Sequence, residues 1–225
     1  MRILAMADIH GNQDVYASVP RLAAEYRADA LVLAGDLLGA PDEDCLSIEE
    51  AQRASVRDIL RLLAALTIPV LYIMGNDDLV ELEPASSQFQ SIHGRRADIG
   101  DYNFVGYQFS LPFAGGIFEK PEEEIATDLL SLESLMDSST VLVTHSPAHG
   151  ILDRGILDRS AGSASILEVA NRRRVRAHIH GHIHRCFGRQ GRHFNVAAAG
   201  KLRGMVIDLA TMEHEVIGGT QSSFE

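Results

Sequence analysis

Residues 1–12 have the sequence MRILAMADIHGN, and this stretch decides the fold. Five apolar residues, 3–7, run without interruption and are followed at once by Asp8 and His10. A short apolar run of this kind predicts a strand that is buried on both faces of a sheet. The run is too short for the apolar segment of a signal peptide. We therefore expect this stretch to be the first strand of the fold itself.

The same pattern recurs along the chain, separated by longer amphipathic segments. Apolar runs rich in Val, Ile and Leu predict further buried strands at residues 30–34, 69–74, 141–144 and 177–180. Between the runs, apolar residues recur at helical spacing over residues 15–26, 48–66, 122–136 and 164–174. Ser163 is the expected N-cap of the last helix. Alternating strands and helices favour an α/β fold with a largely parallel sheet.

The remaining strands are predicted to have no helix between them. Short strands are expected at residues 102–108, 194–198, 204–209 and 213–217, the last three joined by tight turns. Part of the sheet system should therefore be antiparallel. Two mixed β-sheets flanked by helices accommodate both patterns, and we expect a single domain over residues 1–225.

Polar residues that can bind metal ions follow each of the five apolar runs. They are Asp8 and His10, then Asp36 after Gly35, then Asn76, Asp77 and Asp78 after Gly75, then His145, and finally His182 and His184 after Gly181. Ligands bind at the carboxyl ends of the strands in open α/β sheets. We therefore expect these side chains to converge on one edge of the sheet.

The spacing of these residues predicts a site for two metal ions. Asp8 and His10 are two residues apart, as are His182 and His184, and in extended backbone such side chains project to the same side. Imidazole and carboxylate ligands suit Mn, Fe, Zn or Ni. Seven ligands (those above without Asp77 and Asp78) are too many for one ion. They suit two ions roughly 3.5–4 Å apart that share a bridging carboxylate.

Taken in order, these motifs resemble the five motif blocks of the calcineurin-like metallophosphoesterases. The blocks are Asp8-x-His10, Gly35-Asp36, Gly75-Asn76, His145 and Gly181-His182-x-His184. The resemblance implies a four-layer αββα sandwich and hydrolysis of a phosphate ester by in-line attack of a hydroxide bound to two metals. It implies one metal ion held by Asp8, His10, Asp36 and His184, and another held by Asp36, Asn76, His145 and His182, with Asp36 as the bridge.

One position departs from the family pattern. The usual block has Gly-Asn-His followed by an acid, and here Asp77 replaces the histidine that is commonly taken as the proton donor, while Asp78 keeps the acidic position. A free Asp has a pKa near ~3.9, and nearby cations favour its ionised form. Asp77 is therefore expected to be a poor general acid. We expect phosphodiesters or activated esters to be better substrates than simple alkyl monoesters.

Other groups are candidates for contact with the substrate. His149 lies four residues after His145 and could supply the missing proton, or it could be an ordinary loop histidine. The amide of Asn12 could contact a substrate phosphate, as could that of Asn76, although Asn12 could equally stabilise its turn. Residues 110–124 are irregular and are expected to form a loop, either an ordinary surface loop or a rim or lid over the site.

Histidines outside these motifs are expected to be structural. His178 and His180 lie inside a predicted strand and should be buried and hydrogen-bonded. His193 and His214 lie in the late strands and should be at the surface.

Composition limits the functions that are open to this protein. The formal net charge of the 225 residues is −11, which disfavours a nucleic-acid polymer as substrate but not a small phosphate ester. No apolar run is long enough to span a membrane. Two widely separated cysteines, Cys45 and Cys186, favour free thiols and a cytoplasmic location. A non-catalytic protein-binding scaffold, and after it a nuclease, remain the alternatives, and the oligomeric state is open.

Overall fold

The computed structural model describes residues 1–39, 47–82, 84, 86–113, 115–155 and 158–218. These residues form twelve strands: β1 (Arg2–Met6), β2 (Ala30–Ala34), β3 (Val70–Ile73), β4 (Phe89–Ser91), β5 (Arg96–Ile99), β6 (Tyr102–Tyr107), β7 (Thr140–Thr144), β8 (Ala177–His180), β9 (Gly188–Gln190), β10 (His193–Asn195), β11 (Gly204–Asp208) and β12 (His214–Ile217). Their four α-helices are α1 (Gln13–Glu25), α2 (Ile48–Leu63), α3 (Glu122–Leu132) and α4 (Ala164–Arg172). Within these ranges, no helix has the length and apolar character needed to cross a membrane.

Two mixed six-stranded sheets form the centre of the fold, as predicted. In the first sheet, ordered β12-β11-β1-β2-β3-β4, the strands β1 to β4 are parallel, and β11 and β12 join through antiparallel pairings. In the second, ordered β5-β6-β7-β8-β10-β9, the middle strands are parallel and the edge strands β5 and β9 pair antiparallel. The five strands that precede the polar motifs are all in the parallel parts of the two sheets.

Alternate residues of the strands face two different apolar layers. Ile3 and Ala5 lie in the layer between the sheets, together with Phe104 of the second sheet. Leu4 and Met6 point the other way and pack with residues of α1 and α2. Helices α3 and α4 cover the outer face of the second sheet. Strands buried on both faces need unbroken apolar runs, and the result is the four-layer αββα sandwich that the sequence predicts.

The start of α1 is tied to the first polar motif. Asn12 is the N-cap of α1, and its side-chain oxygen accepts a hydrogen bond from the N–H of Val15 at 3.2 Å. Its amide nitrogen donates to the carbonyl of Gly200 at 2.8 Å. Such a cap contributes about 0.5–2 kcal/mol. Since His10 precedes Asn12 by only two residues, the cap also holds the turn that carries His10. Ser163 caps α4 in the same way, as predicted.

The structure differs from the prediction mainly at the edges of the sheets. Strands β4, β5 and β9 are edge strands of three or four residues that the sequence pattern did not predict. Short, partly exposed strands lack the long apolar runs that mark buried ones. The late strands are also divided, because β10 belongs to the second sheet whereas β11 and β12 belong to the first.

One histidine prediction is wrong. His193 is only 5% exposed, because its strand β10 lies inside the second sheet rather than at its surface. Its Nδ1 lies 2.9 Å from Nδ1 of His178, which is fully buried as predicted. His180 is also buried, but its Nε2 has no partner among the described residues. His214 is exposed as predicted. Cys186 is a free thiol, and Cys45 lies outside the described residues.

Candidate metal centre

Side chains that follow the five parallel strands meet at one place, in two groups. In each group the potential donor atoms lie within 4.8 Å of one another: Asp36, His145 and His182 form what we name the buried triad, and Asp8, His10 and His184 form the open triad. A further group of His10, Asp36 and Asp77 meets the same criterion and links the two triads. The predicted convergence of strand ends on one edge is therefore present in the structure.

The backbone at this edge is not extended as the two-residue spacing suggested. Four candidate ligands have positive φ angles, which are 54° for Asp8, 49° for His10, 52° for Asp36 and 67° for His182. Residues other than glycine rarely adopt this left-handed region, at a cost of roughly 1–3 kcal/mol each. The pairing of side chains thus comes from sharp left-handed turns at the strand ends and not from the alternation of an extended strand.

Two glycines of the motifs are required by close packing against the ligands. A Cβ atom at Gly75 would collide with Oδ1 of Asp36, and one at Gly181 would collide with Oδ2 of Asp8. Each glycine lets a neighbouring strand end approach a carboxylate more closely than any side chain would allow. In each motif, Gly75-Asn76 and Gly181-His182, the second residue is a candidate ligand. The glycine before it leaves room for a carboxylate from another strand end, which is Asp36 at Gly75 and Asp8 at Gly181.

Hydrogen bonds to the backbone and to Asn76 fix the orientation of His145 in the buried triad. Nδ1 of His145 lies 3.0 Å from the carbonyl oxygen of Ala34, which can only accept, so Nδ1 carries the proton. Nε2 of His145 then points at Oδ2 of Asp36, 3.3 Å away, and at Oδ1 of Asn76, 2.9 Å away. His145 is fully buried, and Asp36 and Asn76 are each 3% exposed.

Electrostatics in the buried triad are dominated by burial and by the pairing of Asp36 with His145. Burial opposes charge on His145, but the Asp36 carboxylate outweighs it and raises the pKa of His145 to about 10. Burial likewise opposes charge on Asp36, and His145 outweighs it and lowers the pKa of that carboxyl. Burial lowers the pKa of His182 to about 4, so its imidazole is neutral at neutral pH. A positive charge at Nε2 of His145, next to the Asp36 carboxylate, is therefore strongly favoured, whether a proton or a cation supplies it.

The open triad has less protein around it. Asp8 is fully buried, and both of its carboxylate oxygens accept from the backbone N–H of His182, at 3.1 and 3.0 Å. Nε2 of His184 lies 3.0 Å from Oδ1 of Asp8 and 3.4 Å from Nε2 of His10. The side chain of His184 is 44% exposed, and its hydrogen bond to Asp8 raises its pKa. This triad is open to solvent on the histidine side.

Asp77 and Asp78 are adjacent but lie in opposite surroundings. The side chain of Asp77 is 51% exposed, with Oδ2 3.9 Å from Nδ1 of His10. Burial, and next the charge of Asp36, raise the pKa of Asp77. Asp78 is fully buried, and its carboxylate accepts the N–H groups of Leu37, Leu38 and Gly75 at 2.8–3.2 Å. Asp77 therefore faces the site, whereas Asp78 braces the loops behind it.

The two candidates for contact with the substrate, Asn12 and His149, are not directed at this cluster. Both ends of the Asn12 amide are used in the cap of α1 and the bond to Gly200, which is the turn-stabilising alternative. His149 is exposed, and its Nδ1 lies 2.9 Å from the hydroxyl of Ser160. Ser160 lines the cleft that leads to the triads, whereas His149 is not among the described residues that line it.

A cleft of ≈ 640 Å³ leads from solvent to the candidate ligands. Asp36, Asn76, Asp77, His182 and His184 line one side, and Pro112, Phe113, Gly155, Arg159, Ser160, Ala161, Ile183 and Arg185 complete it. From the loop predicted at residues 110–124, Pro112 and Phe113 line the cleft, which agrees with the rim alternative, whereas Glu122, Glu123 and Glu124 belong to the first turn of α3. A groove of similar size, ≈ 660 Å³, lies near β11 and β12 but contains none of the candidate ligands. We therefore take the cleft beside the triads as the functional one.

Sequence reasoning missed Phe113, Arg159 and Arg185 as residues of the site. Phe113 and Arg159 do not directly follow a strand, and Arg185, which comes directly after His184, is not of a residue type that binds metal ions, so the strand-end pattern did not select any of them. Exposed aromatic and arginine side chains in loops are ordinary surface features until the fold places them beside a pocket. Only the irregularity of residues 110–124 pointed towards this rim.

The donor atoms of each triad are of the kinds that bind metal ions. Nε2 of His145 faces two oxygen atoms of Asp36 and Asn76, an arrangement that needs either a proton or a cation between them. The Nε2 atoms of His10 and His184 face each other beside Asp8, as two imidazoles do when they share one ion. The bond from His145 to Ala34 is the backbone support that metal-binding histidines typically have. Imidazole, carboxylate and amide ligands suit Mn, Fe, Zn or Ni.

Comparison with known sequences shows the family. Residues 1–186, most of the chain, match the calcineurin-like phosphoesterase family. The protein therefore belongs to the calcineurin-like phosphoesterases, a class of enzymes that hydrolyse phosphoester bonds. No curated protein matches this chain at a significant level.

Comparison with solved structures supports the fold. One structure is 17% identical with a TM-score of 0.76, covering 97% of this chain and 99% of its own. The protein TT1561 of Thermus thermophilus is 16% identical with a TM-score of 0.70, covering 96% and 98%. A dimetal phosphatase from Danio rerio is 12% identical with a TM-score of 0.56, covering 96% and 86%. At these identities the likeness concerns the fold alone.

Proposed function

We propose that this protein is a metal-dependent phosphodiesterase that hydrolyses a small phosphate ester at a dinuclear centre. The observation that carries the proposal is the junction of the two triads at Asp36, whose donor atoms approach those of His145 and His182 on one side and His10 on the other. A carboxylate in this position is suited to bridge two ions. Membership of the phosphoesterase family sets the class of reaction.

The residues are assigned to the two ions as the family motifs imply. Asp36, Asn76, His145 and His182 would hold one ion, and Asp8, His10, Asp36 and His184 the other. Bound ions would neutralise the phosphoryl oxygens and lower the pKa of the attacking water. The protein itself orients the ligands: Ala34 sets the tautomer of His145, and the N–H of His182 holds Asp8.

Asp77 is proposed to act at the metal centre rather than as an efficient proton donor. Its carboxylate is within reach of His10 and shares a cluster with Asp36. Cations placed there would keep it ionised, whatever its pKa without metal. Without a strong acid for the leaving group, diesters and activated esters are favoured over alkyl monoesters. His149 is a second candidate for that acid. It is not among the described residues that line the cleft, and its contact with the cleft runs through the hydroxyl of Ser160.

The partner in this proposal is a small phosphate ester in the cytoplasm. The formal charge of −11 disfavours a nucleic-acid polymer. The cleft of ≈ 640 Å³ lies within the range of about 300–1,000 Å³ that is usual for small-molecule sites. Asp78 is proposed to position the loops behind Asp36 and Asn76, since its carboxylate is buried and fully engaged with backbone N–H groups.

The test is a paired hydrolysis assay on Mn²⁺-loaded protein. Bis(p-nitrophenyl) phosphate is compared with p-nitrophenyl phosphate, for the wild type and for Asp36→Asn. We expect faster cleavage of the diester and loss of both activities in the variant, with metal content measured in parallel. A faster monoester reaction would show that Asp77 has been misassigned and that another group, such as His149, supplies the proton. Protein that binds no metal at all would instead favour the scaffold alternative.

A further inference from the structure

The lining of the cleft has two notable features besides the candidate ligands. The first is Phe113, which is 60% exposed and lines the cleft together with the candidate ligands. Its ring stands edge-on to the ring of His182, with centroids 5.4 Å apart and planes at 83°. More than half of the surface of this large apolar side chain is thus exposed in the lining of the cleft. An exposed aromatic ring in the lining of a cleft offers a surface on which a planar group of a ligand can stack.

The second feature is a pair of arginines in an otherwise acidic protein. Arg159 and Arg185 both line the cleft, and the chain as a whole has a formal charge of −11. Arg185 donates to the carbonyl of Gly155 at 3.2 Å. Because this acceptor is neutral, the bond does not neutralise the positive charge of Arg185. No carboxylate among the described residues pairs with Arg159. Two guanidinium groups without acidic partners are suited to bind an anionic group of a ligand.

We propose that the cleft binds a nucleotide-like phosphodiester, in which the non-leaving group carries a planar ring and a second anionic group. The planar ring stacks on Phe113, and the second anion lies against Arg159 and Arg185, while the reacting phosphate lies at the triads. The continuity of the cleft from Asp36 to Arg185 allows one molecule to make all three contacts. This inference rests on the proposed phosphodiesterase function and specifies its substrate.

The ring contact is tested with two esters that have the same leaving group. Thymidine 5′-monophosphate p-nitrophenyl ester offers a planar base, whereas methyl p-nitrophenyl phosphate does not. We expect the metal-loaded wild type to prefer the thymidine ester by about tenfold in kcat/KM, the scale of one base stacked on an aromatic ring. Phe113→Ala should abolish this preference and Phe113→Tyr should retain it, each measured as the ratio of the two rates within the same variant.

A matched control comes from the same loop. Ile117 is 59% exposed and is not among the described residues that line the cleft. Ile117→Ala should therefore leave the ratio of the two esters unchanged. A ratio that falls equally in Ile117→Ala and Phe113→Ala would indicate a general disturbance of the loop and would overturn the stacking role.

The arginine contact is tested by adding a 3′-phosphate to the thymidine ester. We expect the added phosphate to raise kcat/KM by about fivefold or more, because it can accept charge-assisted hydrogen bonds from the guanidinium groups. Arg159→Gln and Arg185→Gln should each reduce that gain, measured as the ratio of the rates for the esters with and without the 3′-phosphate in the same variant. Arg57→Gln, on the exposed face of α2, removes the same charge away from the cleft and should have no effect.

Binding separates failure of the subsite from failure of the proposed function. Calorimetry with thymidine 3′,5′-bisphosphate on metal-loaded protein should show weaker binding to Phe113→Ala and Arg159→Gln than to the wild type, whether or not hydrolysis occurs. Equal rates for the thymidine and methyl esters, with equal binding to all variants, would overturn the subsite and leave the phosphodiesterase intact. Loss of all hydrolysis with the binding differences preserved would overturn the proposed reaction alone.

Discussion

The buried triad and the open triad use the same kinds of side chain in opposite surroundings. His145 is fully buried and Asp36 is 3% exposed, whereas the side chain of His184 in the open triad is 44% exposed. The buried pair has strongly shifted pKa values, with that of His145 at about 10. In the open triad, water can approach the imidazoles directly. Burial therefore turns one half of the centre into part of the core and leaves the other half accessible.

Because of this difference, loss of a side chain should destabilise the fold more in the buried triad than in the open triad. A buried charged pair is costly to break, because removal of one partner leaves an uncompensated charge in the interior. The pair of His184 and Asp8 should contribute less to folding, because solvent reaches His184 and the N–H of His182 still holds the buried Asp8 carboxylate. The buried half should thus couple metal binding to stability, and the open half should govern exchange of metal and access of substrate.

The largest expected effect is on folding of the metal-free protein. His145→Ala should lower the free energy of unfolding by about 3–5 kcal/mol, because it leaves Asp36 buried without its partner. His184→Ala should lower it by less than about 1 kcal/mol. Urea unfolding of both variants, without metal, measures the difference. Equal losses in the two variants would remove the distinction between the triads.

The second prediction concerns metal content. His184→Gln should weaken binding of one of two ions by up to about 100-fold, since even outer partners of metal ligands typically contribute factors of about 10–100. The ion of the buried triad should be retained. Elemental analysis after equilibration at fixed free Mn²⁺ gives the number of ions per chain. Loss of both ions together would mean that the two triads act as one indivisible site.

The third prediction compares two adjacent carboxylates. Asp78→Asn places an amide where three backbone N–H groups need an acceptor and should lower the free energy of unfolding by about 2 kcal/mol. Asp77→Asn changes a side chain that is 51% exposed and should shift it by less than about 0.5 kcal/mol. Thermal or urea unfolding distinguishes the two. A large loss for Asp77→Asn would contradict its placement at the open face of the site.

The smallest expected effect is a dependence of stability on pH away from the metal centre. Burial lowers the pKa of His193 to about 4, and burial also lowers that of His178 well below its usual range. The unfolded chain, with a His pKa of about 6.5, binds more protons as pH falls below that value. Stability contributed by the neutral pair is therefore present at neutral pH and is lost between about pH 6.5 and 4.

His193→Gln provides the check on this dependence. The glutamine can still donate to Nδ1 of His178, but it cannot be protonated. The loss of unfolding free energy from pH 7 to pH 5 in metal-free protein should be smaller than in the wild type by about 1–2 kcal/mol. An identical loss in variant and wild type would show that burial does not keep His193 neutral in the folded state.

Much of the architecture could be predicted because it depends on local pattern. Strands buried on both faces require unbroken apolar runs. The apolar runs of the sequence therefore predict five strands, β1, β2, β3, β7 and β8. The edge strands β4, β5 and β9 were not predicted, because short exposed strands carry no such pattern. The burial of His193 could not be predicted either, since it depends on β10 pairing with β8 rather than with its neighbours in the late part of the chain.

The order of polar residues after the strands was sufficient, by itself, to identify the family and to predict which side chains meet at the edge of the sheets. Parallel strands bring their carboxyl ends to one edge, so residues far apart in the chain must meet there. What only the tertiary structure decided was the environment of each ligand. The left-handed turns at Asp8, His10, Asp36 and His182 depend on glycines and hydrogen bonds from other strand ends. The cleft wall with Phe113, Arg159 and Arg185 exists only because separate loops meet, a contact that no local pattern encodes.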